Sequence, residues 1–455
     1  MTLVYGAIGM SGLAVGCLFA WQYGSSAQDI YSAAYIVLSL AAGAAFLGLA
    51  FWRDARRHVV AAVLCSPVIA AYLFEAYVQT FRPREHSSVE GSAGLAATER
   101  DRDRRSRWDV LAELEAGTSP GIVPRYVPFV PPPLRIDGRE IVVMSGVANR
   151  ATLSGNENGY WVTYKSDRFG FRNPDQVWDA PRADIVLLGD SFTFGAEVRD
   201  DEHYAYVLRQ RHPATINLGY PSSGPLGYLA ALTEYGAAKK PKLVLIFFYE
   251  GNDAADMVRD FASPVLRKYL TPGFRQDLDR QQGEIELAML RVISEAKRQF
   301  RISPPALERR GFELQRWFKL QELQLRLELP SFYAADRFDR FVDVELMSTI
   351  FERIRELAES WQGRAVIVYL PAWRNGRDTE RTTRRLERVR AGMIAAAQKA
   401  DLPVIDTLPA FHRHATPNRL NAGAPNPGGH YSPEGYKLVG EVVLHQLETM
   451  NYVSR

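Results

Sequence analysis

The sequence predicts an α/β domain, a three-layer parallel sheet flanked by helices on both faces. From about residue 183 onwards, short apolar runs alternate with amphipathic segments, and glycine or proline stands at the breaks. The apolar runs are continuous, which is typical of parallel strands buried on both faces. The predicted strands are Ala183–Leu188, Thr215–Leu218, Leu243–Tyr249, Ala365–Leu370 and Pro403–Asp406, and the predicted helices are Asp201–Arg211, Pro225–Lys239, Val344–Trp361 and Glu380–Lys399.

Residues 1–82 differ from the rest and predict an N-terminal region of three transmembrane helices. The segments Leu3–Trp21, Tyr31–Trp52 and Val59–Phe81 are nearly free of charge and long enough to cross a bilayer. The lipid bilayer is therefore an expected partner of this region.

The loops between these segments predict the orientation of the chain. Arg53, Arg56 and Arg57 lie between the second and third spans, whereas the first loop has no lysine or arginine. The positive-inside rule places the arginine loop in the cytoplasm, so the large C-terminal part is expected outside it. Localisation at the cell membrane, as a multi-pass protein, follows.

Composition and charge divide the remainder of the chain. Residues 83–180, rich in charge and then in proline, predict a juxtamembrane linker and a small appended β region. Residues 181–450 form the predicted sheet domain, and residues 254–340 are expected to be a helical insertion, either a lid, a docking arm, a membrane-skimming element or plain decoration. The net charge of +3 argues against nucleic acid as a partner.

The first predicted strand ends in Gly189-Asp190-Ser191-Phe192, a pattern that suits a nucleophile. A serine at the carboxyl end of a strand and the start of a helix has its own N–H unpaired and directed towards whatever the hydroxyl attacks. Because serine is a weak nucleophile, this interpretation needs a histidine base and oxyanion donors elsewhere in the chain.

Open α/β sheets gather their chemistry at the carboxyl edge, and three further segments fit a position there. Gly219 follows the second strand, and Gly251-Asn252-Asp253 follows the third. Near the C-terminus His430 precedes a helix start, with Ser432 as N-cap and Pro433 as first helical residue.

The order of these four blocks resembles that of the SGNH (GDSL-type) hydrolase family, whose fold is SGNH/flavodoxin-like. The resemblance implies that Ser191 attacks an ester and that His430 is its base. It also implies an oxyanion hole made by the N–H groups of Ser191 and Gly219 and the side chain of Asn252. No cofactor is implied, and His412 with His414 lacks a third ligand of recognisable spacing, so no metal is predicted.

Two departures from the family pattern leave the triad acid open. Pro427 stands three residues before His430, where the family usually has aspartate, and Glu250 stands where it usually has glycine. A backbone carbonyl, Asn426, or a carboxylate such as Asp406 is left to orient the histidine. A serine–histidine dyad with a carbonyl is favoured over Asp406.

The function expected from the sequence is that of a membrane-anchored SGNH-type serine esterase. It would act on O-acyl groups of a cell-surface carbohydrate, and O-acetyl groups are the expected ones. The same site with a sugar hydroxyl as acceptor would give a polysaccharide O-acetyltransferase, and the blocks are similar to those of alginate-type O-acetyltransferases. A second alternative is a non-catalytic glycan-binding or scaffold protein of a polysaccharide assembly. Membrane-bound polysaccharide or acyl-transfer machinery is the corresponding partner.

Overall fold

The structure is a computed structural model. It describes residues 103, 105–125, 134–302, 342–372, 380–422 and 429–453, together with scattered residues between 10 and 73. The chain divides into two compact units, one of residues 1–86 with 309–329 and the other of residues 87–308 with 330–455.

In the first unit, Leu49 and Ala61 are buried and Phe46 and Val60 pack against them. Among the residues described, none of the helices combines the length and the apolar character that a membrane span requires. Most residues of the three predicted spans lie outside the described residues. The spans therefore stay a prediction.

In the second unit, the described residues before the main sheet form a small helix and five short strands. Helix α1, Arg107–Ala116, starts with a capping box in which Ser106 and Asp109 satisfy each other's backbone N–H groups. The strands are β1 (Val123–Pro124), β2 (Leu134–Ile136), β3 (Arg139–Ile141), β4 (Ala151–Leu153) and β5 (Thr163–Lys165). They pair as a three-stranded sheet in the order β1-β4-β5 and as the antiparallel hairpin β2-β3.

The centre of the unit is a parallel sheet of five strands, in the order β10-β9-β8-β6-β7. Its strands are β6 (Ile185–Leu188), β7 (Thr215–Asn217), β8 (Leu243–Tyr249), β9 (Arg364–Leu370) and β10 (Val404–Asp406). Every residue of β6 and β7 is buried. The predicted parallel sheet is confirmed, and the continuous apolar runs reflect burial on both faces.

Helices cover both faces of the sheet. They are α2 (Ser191–Phe194), α3 (Tyr204–Arg209), α4 (Pro225–Ala231), α5 (Asp253–Ala262), α6 (Pro264–Arg267), α7 (Gln282–Ile302), α8 (Val344–Glu359), α9 (Glu380–Lys399), α10 (Leu408–Arg413) and α11 (Pro433–Thr449). Val186 and Leu188 of β6 pack in one core with α4, α8 and α9. Ile185 and Leu187 pack in the other with α3 and α11. This alternation along a strand makes three layers, and each fully buried side chain of this size stabilises the fold by about 1.5–3 kcal/mol.

The described part of the predicted helical insertion is mostly helical. Helices α5, α6 and α7 follow β8, with 3₁₀ turns at Lys268–Leu270 and Leu278–Arg280. Residues 303–341 lie outside the described residues. Helix α5 starts directly at the carboxyl edge of the sheet, so it is the part of the insertion that borders the candidate site.

Candidate active site

The turn after β6 presents a serine at the carboxyl edge of the sheet. A Cβ atom on Gly189 would lie 1.9 Å from the Thr193 Oγ1 atom, so only glycine fits this turn. Asp190 is the N-cap of α2, and its side chain accepts the Phe192 N–H at 2.9 Å. Ser191 is the first helical residue, and its own N–H has no partner among the described residues. That N–H is available to a ligand.

The appended region supports this turn. Helix α2 is only four residues long, and it ends at Gly195, whose φ is +80°. The buried guanidinium of Arg172 donates to the carbonyls of Gly195 at 2.6 Å and Val198 at 2.7 Å. The first bond satisfies a carbonyl at the end of α2 that so short a helix leaves without an intrahelical partner, and the second holds the loop that follows. The nucleophile turn is therefore fixed from outside the sheet as well as from β6.

The structure brings His430 to Ser191, as the sequence predicts. The two atoms His430 Nε2 and Ser191 Oγ are 2.8 Å apart. Helix α11 begins at Pro433, and Ser432 is its N-cap, accepting the Gly435 N–H at 3.2 Å. His430 therefore lies in the loop that enters α11, and its side chain is 18% exposed, which leaves the ring accessible from one side.

Glu157 occupies the position of the acid behind His430. One of its carboxylate oxygens, Oε2, accepts the backbone N–H of His430 at 2.8 Å and lies 2.9 Å from His430 Nδ1. The two contacts to one oxygen fix both the backbone and the ring of the histidine. Glu157 belongs to the appended region, in the turn between β4 and β5, and sequence reasoning did not select it.

This carboxylate determines which ring nitrogen carries the proton. Burial pushes the pKa of Glu157 up, but the hydrogen bonds and charge of His430, with the charge of Arg125, more than offset it and hold the pKa below its usual value. An ionised carboxylate only accepts hydrogen bonds, so Nδ1 must donate to Glu157. In the neutral imidazole Nε2 is then an acceptor facing the Ser191 hydroxyl, as a general base requires.

Asp406 does not have the role considered for it from the sequence. Its carboxylate pairs with Arg390 and accepts the Leu408 N–H at 3.0 Å. It ends β10, the edge strand, which is three strand positions from β6. At about 4.8 Å per strand, the two strands are about 14 Å apart. The favoured dyad with a carbonyl is also replaced by the contact to Glu157, and Asn426 lies outside the described residues.

Asn252 lies where the sequence predicts it, at the end of β8 beside β6. It is the N-cap residue of α5, and the next residue, Asp253, accepts the Tyr249 N–H at 2.8 Å and so closes the turn. The Asn252 Nδ2 atom donates to Asp256 at 2.7 Å and lies 3.5 Å from Asp190 Oδ2. The Ser191 hydroxyl is 3.4 Å from that same Asp190 oxygen, so the amide and the nucleophile share one neighbour.

Gly219 is a second correction, because its N–H is already used. It donates to the side-chain oxygen of Asn217 at 2.9 Å, and the Asn217 amide donates in turn to the Thr193 carbonyl at 2.6 Å. A Cβ atom on Gly219 would lie 2.5 Å from the Cβ atom of Thr193. Glycine is needed here because the loop after β7 passes directly over the nucleophile helix.

Asp190 lies beneath the site as a buried acid. Burial raises its pKa to about 6, and the charge of Asp256 acts in the same direction. The Phe192 N–H, the charge of His430 and the Asn252 amide lower the pKa and partly offset this rise. In the folded protein this carboxyl group therefore changes charge near pH 6. Its protonation alters the acceptor that faces both Ser191 and Asn252.

One group of side chains has the donor set of a metal site. Ligand atoms of Glu157, Glu197 and His430 lie within 4.8 Å of one another. However, Nδ1 and Nε2 of His430 face Glu157 and Ser191. The guanidinium of Arg125 lies 3.5 Å from Glu197 and already supplies a positive charge. The group is better explained as part of the serine site than as a metal centre.

Comparison with known proteins identifies the family. The model of the GDSL-like lipase/acylhydrolase family matches residues 187–438, more than half of the chain. The chain belongs to this family. It is an ester-hydrolysing enzyme of SGNH fold, and Ser191, Asn252 and His430 all fall within the matched residues, whereas Glu157 lies before them.

Solved structures of similar proteins include a lipase/acylhydrolase from Enterococcus faecalis, with 17% identity and a TM-score of 0.32 over 59% of this chain and 96% of that one. A putative acylhydrolase from Bacteroides fragilis has 14% identity and a TM-score of 0.32 over 60% of this chain and 93% of that one. A two-domain esterase active on acetylated mannans has 14% identity and a TM-score of 0.32 over 62% of this chain and 53% of that one. A search of curated proteins found no match.

Proposed function

We propose that Ser191, His430 and Glu157 are the catalytic triad of a serine esterase. The observation that carries the proposal is the continuous line of contacts from Ser191 Oγ through the imidazole to Glu157, with separations of 2.8 and 2.9 Å. These distances are within the range in which a histidine base takes a proton from a nucleophile. The line lies in a chain whose family hydrolyses esters.

The geometry gives each residue a step in acylation. His430 Nε2 removes the proton of the Ser191 hydroxyl as Oγ attacks the ester carbonyl carbon. Negative charge develops on the carbonyl oxygen, and the free Ser191 N–H and the Asn252 amide are the donors at that position. The protonated imidazole then gives its proton to the leaving alkoxide, and Glu157 stabilises the imidazolium while it exists. The product is an acyl-serine and a free alcohol.

The acceptor of the acyl group decides between hydrolase and transferase. Water activated by His430 would release a carboxylic acid and regenerate the serine. A sugar hydroxyl in the same place would instead carry the acyl group away as a new ester. The residues of the site act identically in both cases, so an O-acetyltransferase reaction is the second outcome that an assay must be able to detect.

We propose O-acetyl groups of a cell-surface carbohydrate as the substrate. The support comes from the sequence: its site blocks resemble those of alginate-type O-acetyltransferases, and the arginine loop of the predicted membrane region predicts that residues 83–455 lie outside the cytoplasm. A non-catalytic scaffold is disfavoured, because the absent aspartate at Pro427 was its main support and Glu157 contacts His430 in its place.

The purified full-length chain should hydrolyse p-nitrophenyl acetate and should also release acetate from an O-acetylated oligosaccharide. Both activities need only an ester carbonyl that can reach Ser191. Mass spectrometry would follow free acetate and acetylated sugar in the same reaction, with and without an unacetylated acceptor. Acetylated acceptor as the main product would identify a transferase.

The same experiment separates chemistry from substrate. The protein could hydrolyse the activated ester but neither release acetate from an oligosaccharide nor transfer it to one. That result would contradict the carbohydrate proposal and leave the triad in place. Absence of turnover with every ester would contradict the triad itself. The variant Ser191→Ala, which lacks the nucleophilic oxygen, is the background control for each product.

We further propose that the chain is anchored in the cell membrane with its catalytic part outside the cytoplasm. Arg53, Arg56 and Arg57, in the loop between the second and third predicted spans, support this orientation. A reporter that is active only outside the cytoplasm should give signal when fused after Arg455 and none when inserted after Arg57. The reverse pattern would place the site in the cytosol and remove the surface carbohydrate as substrate.

A further inference from the structure

The side-chain amide of Asn252 makes two unequal contacts. Its nitrogen donates to Asp256 Oδ2 at 2.7 Å, which is a short, charge-assisted bond. Its distance to Asp190 Oδ2 is 3.5 Å, beyond the usual range of a hydrogen bond. An amide nitrogen has two hydrogens, so one is firmly bound and the other is only weakly engaged.

Asp256 lies one helical turn after Asn252 on α5, and it is buried. A buried carboxylate needs a partner if it is to stay charged. Arg259, a further three residues along the same helix, donates to Asp256 Oδ1 at 2.7 Å. One oxygen of Asp256 therefore faces the amide of Asn252, and the other faces the guanidinium.

Arg259 also connects α5 to the loop after β7. Its guanidinium donates to the carbonyl of Ser222, a residue whose φ is +61°. Such a backbone conformation is uncommon for a residue other than glycine and needs support from its surroundings. The neighbouring Asp260 accepts the N–H groups of Gly224 at 2.9 Å and Gly227 at 3.2 Å. Helix α5 thus holds this loop by several polar contacts.

We propose that Asp256 and Arg259 are positioning residues for the oxyanion hole. Asp256 fixes the plane of the Asn252 amide by binding one hydrogen, which leaves the second hydrogen, with Asp190 Oδ2 3.5 Å from the nitrogen as its weak partner, able to donate to an oxyanion formed at Ser191. Arg259 keeps Asp256 in place and ties it to the Ser222 turn. The inference rests on the proposed function, because it assigns these residues a role only through Asn252.

The physical advantage is preorganisation. A donor that is already oriented before the oxyanion forms needs no reorganisation at the moment of reaction, and this accounts for much of the effect of such donors. Without Asp256 the amide could rotate about its last side-chain bond, where the torsion is broad. Its hydrogen would then point at the oxyanion for only part of the time. Loss of Asp256 should therefore cost turnover rather than substrate binding.

The test measures kcat and KM for p-nitrophenyl acetate with the full-length chain. Asn252→Ala should lower kcat about a hundred- to a thousandfold, the usual effect of removing one oxyanion donor. Asp256→Ala should lower it by about ten- to a hundredfold, less than removal of the donor itself, with KM changed less than about threefold.

Two further variants separate positioning from folding. Arg259→Lys keeps the charge but cannot donate to Asp256 and to the Ser222 carbonyl with one planar fork, so a smaller fall in kcat is expected. This variant decides the matter if Asp256→Ala fails to fold, as judged by its melting curve. Glu295→Ala and Arg298→Met are matched controls, because Glu295 and Arg298 form an acid–arginine pair of the same spacing on the exposed face of helix α7, and both should leave kcat unchanged.

A double-mutant cycle gives the decisive result. If Asp256 acts through Asn252, Asp256→Ala should change kcat less than about twofold once Asn252 is alanine, because the two effects are not additive. An equal loss in both backgrounds would mean a general structural role and would overturn the inference. The inference would also be overturned if kcat of Asp256→Ala or of Arg259→Lys were within twofold of the wild-type value. In either case an active wild type and an inactive Ser191→Ala would leave the proposed function intact.

Discussion

Replacing Ser191 by alanine should reduce ester hydrolysis on the order of a millionfold, to the small residual rate that the oxyanion donors and substrate binding alone support. Among the described residues of the site, the Ser191 hydroxyl is the group that forms the acyl-enzyme, since His430 Nε2 lies 2.8 Å from it and would have no proton to remove in the variant. The fold should be unaffected, because the change removes one oxygen atom from a half-buried side chain at a helix start.

A fluorophosphonate probe provides an independent measurement of the same prediction. It bonds covalently to an activated serine oxygen, so it should label the wild type at Ser191 and leave Ser191→Ala unlabelled. Ser360→Ala is a matched control, since Ser360 is exposed at the end of α8 and far along the chain from the site. Labelling of Ser191→Ala at the rate of the wild type would remove Ser191 from the mechanism.

Much of the sheet and of its edge could be predicted because local signals agree with the tertiary structure. The run from Ala183 to Leu188 is apolar because β6 is buried on both faces, and the observed strand, Ile185–Leu188, lies within it. The start of α11 was predicted to the residue, since Ser432 and Pro433 each have a physical preference for those positions. Strand order then brings Ser191 and Asn252 to neighbouring positions.

The identity of the acid could not be predicted in this way. Glu157 and His430 are separated by 273 positions in the chain, and their contact depends on how the turn between β4 and β5 packs. Pro427 indicated that an acid must come from elsewhere, but sequence alone gave no reason to prefer a glutamate in a polar turn over Asp406 at a strand end. The expectation that Asp406 and Ser191 lie at the same carboxyl edge of the sheet was too weak a criterion for choosing the acid, because β10 is an edge strand three positions from β6.

The role of Gly219 shows a different limit. A glycine after a strand at the active edge predicts either a free N–H or a close approach of two backbones, and the two interpretations look alike in the sequence. In the structure the N–H is bound by Asn217 and the absent Cβ makes room for Thr193. The distinction depends on the orientation of one neighbouring amide, which no local pattern specifies.

Glu157→Gln should lower kcat by up to about ten-thousandfold while the fold is retained. A glutamine has almost the same shape but can present an N–H to His430, which favours the tautomer with the proton on Nε2, and it no longer stabilises the imidazolium. The serine would then face a donor instead of a base. Steady-state hydrolysis of p-nitrophenyl acetate measures the loss, and slow labelling by the fluorophosphonate should persist because Ser191 is unchanged.

The pH dependence of this loss follows from the lowered pKa of Glu157. A depressed pKa in the folded protein means that the ionised contact with His430 is present above the ordinary glutamate pKa and is lost only as the pH falls through the lower, folded value. Because Glu157 is ionised above about pH 6, its own titration adds no change to the ratio of wild-type to Glu157→Gln activity between about pH 6 and pH 8, and the loss should be present throughout that interval. Equal activity of the wild type and Glu157→Gln at pH 7 would mean that another group orients the histidine.

Asp406→Asn is the matched control, and it also tests the assignment of the acid. Asp406 pairs with Arg390 on the far edge strand, so its neutralisation should leave kcat within about twofold of the wild type. The opposite pattern, with Asp406→Asn severely impaired and Glu157→Gln nearly silent, would contradict the structure. If the expected pattern is found, the esterase site depends on a residue that lies thirty positions before the family domain begins. The appended region would then be part of the catalytic unit, because it supplies the acid as well as the Arg172 contacts to the nucleophile turn.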